Sequence, residues 1–186
     1  MVGMRGLWLP VVLSAGIVFV VSSIIHMLPL WHRGDYPAVP DQDKVLDALR
    51  PFNLQPGDYM LPRAADTAEM KTDAFKAKMN RGPMIVMTVM PNGQNFLGSS
   101  LAYWFVYALV VSAFSAYVTG RALPAGASYL EVFRFAGATA FLSYSVALWQ
   151  MSIWYKRAWT MTAKATVDGL IYACFTAGCF GWLWPR

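Results

Sequence analysis

Histidine occurs twice in this chain, at His26 and His32, and Asp35 follows the second by three residues. Imidazoles and a carboxylate gathered in one place can bind a metal ion or pass a proton. Their six-residue spacing fits neither the i,i+4 pair of a helical zinc site nor another known motif. Pro29 also breaks helical register between them. A second pair of groups comes much later. Lys164 and Asp168 are four residues apart, share one helix face and can reach each other as an ion pair. Asp168 falls about one turn inside an apolar stretch, where a carboxylate is costly unless paired or hydrated. The pair reads either as mutual neutralisation that anchors a helix end, or as a proton or cation site near a membrane surface. Glu131 and Arg134 form a similar shallow pair and read as interfacial anchoring.

Met84, Met87 and Met90 recur at three-residue spacing, and thioethers suit Cu(I). A copper- or other metal-handling reading would join them to His26 and His32. The intervening Ile85, Val86, Thr88 and Val89 favour an extended chain, in which i and i+3 point to opposite faces. Apolar packing is the better reading of the methionines. Cys174 and Cys179 lie together in the last apolar stretch and read as packing residues. There is no CxxC, Walker A loop, nucleophile elbow, HExxH or dinucleotide fingerprint. No cofactor is identified from the residues, copper being the metal considered.

Four apolar stretches must position these groups: Leu7 to Leu30, Leu97 to Gly120, Val132 to Trp154 and Ala163 to Trp184. Each reaches the length of about 20 residues that a bilayer crossing requires. Hydrophobic residues are 57% of the chain and charged ones 13%, against about 25% charged in soluble domains. The expectation is an all-α membrane protein with four transmembrane helices. The first stretch is longer than the apolar core of a signal peptide and no A-x-A-like site follows it, so it reads as retained. The net charge of +5 is spread out rather than clustered as nucleic acid requires. The partners expected are the lipid bilayer and other membrane subunits or a second copy, not nucleic acid.

Residues 31–96 form a mixed, mainly helical extramembrane insertion, leaving 1–30 as the first helix and 97–186 as a three-helix antiparallel unit. Asp41 is expected to cap one short helix, and Asp66 with Glu69 a second that ends near Gly82-Pro83. Pro56-Gly57 and Pro62 read as turns. Met84 to Met90 reads as a strand without an evident partner. Small residues recur every fourth position: Ala108, Ser112, Ala116 and Gly120; Thr139, Ser143 and Ala147; Gly169, Ala173, Ala177 and Gly181. They let helix backbones approach closely, within the chain or, for the last stripe, against a partner subunit.

Helix parity puts both termini on one side and residues 31–96 with the 155–162 turn on the other. Lys and Arg divide 11 to 4 in favour of the second side, which points to a cytoplasmic insertion. Without the long loop, a poor witness, the count is nearly even. Leu148 to Trp159, Asp168 to Tyr172 and Gly181 to Pro185 resemble a group of small bacterial inner-membrane proteins of unassigned function. That resemblance implies a bacterial inner-membrane location and no activity. With no catalytic constellation visible, the first expectation is a non-enzymatic accessory, assembly or scaffolding component of a membrane complex. A small transporter or ion-handling protein using Asp168 is the second, and a metal-handling protein the third. Parity sends the ends of the first and last spans to the same side, which is where a site is expected.

Overall fold

The computed structural model describes residues 1–28, 31–93 and 96–186, and the chain is mostly helical. In chain order the elements are α1 (Trp8–Met27, entered through a 3-10 turn, Met4–Leu7), α2 (Gln42–Leu49), β1 (Gly57–Leu61), α3 (Thr67–Lys71), α4 (Asp73–Arg81), β2 (Ile85–Val89), α5 (Leu97–Ala122), α6 (Tyr129–Ser145), α7 (Trp149–Trp154) and α8 (Trp159–Trp182). They divide into two compact units, Met1–Tyr36 with Phe96–Arg186, and Pro37–Asn95. The boundary falls after Tyr36 rather than at residue 30, because the segment after α1 is tied to α8.

Three helical segments are long and apolar enough to cross a bilayer: Met4–Met27, Leu97–Ala122 and Tyr129–Trp154. The third passes from α6 through a 3-10 turn, Val146–Leu148, into α7. The fourth expected span is a helix as well, α8, but it is not among these three. Lys164, Asp168 and repeated Gly and Thr lower its mean hydropathy.

In the first unit α1 packs on α5 and α8, and α6 packs on the same two, so the four make a ring in the order α1, α5, α6, α8. Large apolar side chains face outward as well as inward, where Leu7, Val18, Val132 and Phe180 are buried. Val20, Ile24, Val106, Phe114, Leu142, Leu170 and Trp182 point outward. The interior holds Ala15, Ala108, Ala140 and Ala173 with the hydroxyls Ser14, Ser112, Ser115, Thr119 and Thr176. In water, exposing such apolar area would cost about 25 cal/mol per Å². In hydrocarbon it costs nothing, and small residues inside gain close packing and hydrogen bonds.

The small residues of α5 fill this interior. Ser14 donates to Ser112 across 3.0 Å, and a Cβ on Gly120 would stand 2.7 Å from the Val2 carbonyl oxygen. On α8 the stripe faces α6. A Cβ on Gly181 would lie 2.7 Å from the Tyr129 ring, and one on Gly137 would lie 3.1 Å from Ala177. That stripe is therefore covered within the chain. The packing face of α6 differs from the expected Thr139, Ser143 and Ala147. Val132, Ala136, Ala140 and Tyr144 are buried instead. Thr139 and Ser143 return their hydroxyls to Phe135 and Thr139 carbonyls at 2.8 Å.

The second unit contains an antiparallel pair, β1 with β2, in the register Tyr59 opposite Met87. The strand expected over 84–90 thus finds its partner in a stretch that reads as turns, because Pro56 and Pro62 bracket only five strand residues. Asp66 accepts from the Glu69 N–H at 2.7 Å, and Glu69 in return accepts from the Ala65 N–H at 2.6 Å. The helix expected after Asp66 is two helices, since Thr72 recaps the chain on the Phe75 N–H. Asp41 does not cap α2. It adopts a left-handed φ of 52° and pairs with Lys44 instead.

Candidate functional site

The end of α1 and the first turns of α8 are joined by Trp31, His32 and Asp35. His26 lies in the last turn of α1, and its Nδ1 is 3.0 Å from the Ser22 carbonyl oxygen. A carbonyl only accepts, so this contact assigns the proton to Nδ1. Leu28 is extended and ends the helix. The chain then turns back, with the Asp35 N–H donating to the His32 carbonyl at 3.1 Å. The return lays the His32 ring on the His26 ring, centroids 4.5 Å apart and planes 14° from parallel.

The Trp31, His32 and Asp35 side chains of this segment meet α8 or their own turn. His32 Nδ1 is 2.7 Å from Asp35 Oδ2. Lys164 Nζ donates to Asp35 Oδ1 at 2.6 Å and to the Trp31 carbonyl at 2.7 Å. Trp31 Nε1 donates to Asp168 Oδ1 at 2.9 Å. His32 Nε2 is 3.1 Å from Asp168 Oδ2 but out of line for a hydrogen bond, and is buried with no other partner among the described residues. The Asp168 side chain is 5% exposed. The i,i+4 pair expected on α8 is therefore not formed. Lys164 and Asp168 share a face as their spacing required, and the 31–35 segment takes both, Lys164 through Asp35 and the Trp31 carbonyl and Asp168 through the Trp31 indole.

An aromatic layer lies one turn deeper. Trp104 donates to Ser22 Oγ at 2.7 Å, and its ring meets Tyr144 and Tyr172 at 6.2 and 5.9 Å. Tyr172 is one turn beyond Asp168, so these rings floor the site and separate it from the hydroxyl-lined interior.

Lys164, first, and His32, second, hold the Asp35 carboxyl below its ordinary value of 3.8, against an upward push from burial. A lowered carboxylate stabilises the fold above its ordinary value, and that contribution disappears as the pH falls through the lowered one. Asp35→Asn should accordingly melt lower than wild type at neutral pH and lose less on acidification below about pH 4. Melting curves of the two proteins that run parallel from neutral to acid pH would contradict this.

The other expected site residues lie elsewhere. Glu131 does not pair with Arg134. It closes a capping box with Ser128, whose N–H donates to it at 2.9 Å, and among the described residues no ion pair joins it to Arg134. This occurs at the opposite end of the ring, where Tyr129 meets Gly181. Met84 and Met90 are exposed beside β2, and Met87 stands opposite Tyr59. The methionines belong to the second unit and the histidines to the first. Trp31 and Asp35 are the residues that sequence reasoning undervalued. Asp35 was near enough to notice, but nothing local in Trp31 distinguishes it from an ordinary interfacial aromatic. No known protein family, curated protein or solved structure matches this chain.

Proposed function

We propose that the chain is an integral membrane protein crossing the bilayer four times, and that it handles a cation at the His26, His32, Asp35 and Asp168 group. The observation that carries this reading is the charge at His32, Asp35 and Asp168, whose side chains are mostly shielded, with His26 exposed at their rim. Asp35 and Asp168 bring two negative charges, and among the described residues Lys164 is the one ammonium bonded there. With neutral imidazoles the group lacks a positive charge, and an uncompensated buried charge is costly. Both charges of α8 are engaged by residues 31–35, and residues 169–182 carry none. That supports α8 as the fourth crossing, shielded by α1 and α6. In this reading residues 31–96 face the cytoplasm and the membrane is a bacterial inner membrane.

The accessory or assembly reading is favoured by a different observation. In the second unit Phe75 is the one buried hydrophobic among the described residues, while Phe52, Met70, Met84 and Met90 are exposed. A two-stranded sheet with so little core is marginal alone. The cation reading is tested on purified protein in mild detergent with monovalent, alkaline-earth and transition-metal chlorides added one at a time. At least one should raise the melting temperature, and Asp168→Asn should remove the rise. If none does, the reading is wrong.

A further inference from the structure

We infer that His26, His32 and Asp168 form a transition-metal site of the two-histidine, one-carboxylate kind, with Ser22, Asp35 and Trp31 orienting the three ligands. This rests on the cation reading above and names the class of cation. Among the described residues these three are the group of His, Cys, Asp or Glu whose ligand atoms converge, all within 4.8 Å of one another. Bonds of about 2.1 Å to a shared ion put neighbouring ligand atoms roughly 3–3.5 Å apart. His32 Nε2 and Asp168 Oδ2 already meet that, at 3.1 Å. His26 must close a remaining gap of at most about 1.5 Å, and its ring must tilt out of the near-parallel stack on His32 for both in-plane lone pairs to meet one ion.

The outer partners make the stronger argument. A metal-bound imidazole usually gives its other N–H to a carbonyl or carboxylate, which fixes the tautomer and aims the lone pair. Both histidines have that partner here. His26 Nδ1 is held by the Ser22 carbonyl at 3.0 Å and His32 Nδ1 by Asp35 at 2.7 Å. In its neutral form each ring would then carry its free lone pair on Nε2. Trp31 occupies Asp168 Oδ1 and leaves Oδ2 as the single free carboxylate oxygen. In that form the His32 lone pair is buried, has no hydrogen-bond partner among the described residues, and lies beside a carboxylate oxygen. Two electron-rich atoms held together without a proton in line between them are an unfavourable arrangement. An ion bound to both removes it.

Ligand chemistry then selects the ion. Two imidazoles favour Zn(II), Fe(II), Co(II) or Cu(II) over Mg²⁺ and Ca²⁺, which prefer all-oxygen shells. Three protein ligands leave coordination positions open, as exchangeable and catalytic sites do and closed structural sites do not. Lys164 is held on Asp35 and not on Asp168, so it does not compete for the ligating oxygen.

The test uses the full chain in mild detergent, stripped with a chelator and titrated with Co²⁺, Zn²⁺, Mg²⁺ and Ca²⁺. The expected result is one equivalent of Co²⁺ with visible d–d bands characteristic of imidazole ligation, displaced by Zn²⁺ and not by Mg²⁺ or Ca²⁺. Asp35→Asn, which touches no metal, should weaken Co²⁺ binding about 10–100-fold. His32→Ala should abolish the bands. Comparing ions on the wild-type protein needs no variant to fold. Binding of Mg²⁺ or Ca²⁺ alone, dependent on Asp168, overturns the inference and leaves the cation reading standing. Co²⁺ bands that survive both His26→Ala and His32→Ala overturn it too. If no cation binds at all, both fail together.

Discussion

Gly169→Leu is expected to destabilise the bundle by about 3 kcal/mol, at the upper end of overpacking costs. Gly169 lies where α8 crosses closest to the end of α6. A Cβ placed there would fall on Ser145 Oγ and stand 3.1 Å from Tyr144 Cβ and 3.2 Å from Ser145 Cβ. The hydroxyl can rotate away, but the two Cβ atoms are fixed to backbone. Even Gly169→Ala should destabilise by about 1–2 kcal/mol, because overpacking outweighs the roughly 1 kcal/mol that alanine adds in helix propensity. Ser145→Ala removes the worst contact, so the double variant Gly169→Ala/Ser145→Ala should recover part of the loss. Thermal unfolding in detergent measures all four proteins. A Gly169→Leu variant as stable as wild type would mean that α6 and α8 do not meet here.

Asp168→Ala should cost about 3 kcal/mol without any metal present, and Asp168→Asn clearly less. The alanine variant leaves the Trp31 indole N–H without its acceptor in a site that is nearly closed. Trp31 is 42% exposed, so its stranded donor loses toward the lower end of about 1–3 kcal/mol, and removing one member of a buried charged group adds the larger part. Asparagine keeps an oxygen for Trp31, so it separates the structural part of Asp168 from its charge. Equal melting temperatures for the two variants in chelator-treated protein would show that the Trp31 bond carries no weight.

The apolar stretches were readable because length and hydropathy are local properties. Met4–Met27, Leu97–Ala122 and Tyr129–Trp154 have them in full. Local rules also placed the caps at Asp66 and put Lys164 and Asp168 on one helix face. They could not name the residues across from that face, since the partners lie in the return segment after α1. Spacing argued against a metal pair at His26 and His32, since six residues fit no helical pair and Pro29 breaks the register between them. The helix stops at Met27 and the chain doubles back, so a six-residue gap brings the rings into contact. Asp41 shows the opposite failure: it has the right residue type before α2, but its left-handed backbone turns the side chain elsewhere. The strand at 57–61 was hidden because two prolines and a glycine surround a very short pairing segment.

The ring of helices has one seam that joins the beginning of the chain to its end. Trp31 and Asp168 are bonded across 137 residues, and the neighbouring α1–α8 contacts are similarly remote. Closing so long a loop is entropically slow, and non-local contacts of this kind form late. The site is therefore assembled last during synthesis, after α8 has been made, and a chain stopped before α8 has only half of it. Whatever occupies the completed site holds the first and last helices together. Saturation at 100 times the dissociation constant would strengthen that closure by about 2.7 kcal/mol. Occupancy and completion of the bundle become a single equilibrium, in which each reports on the other.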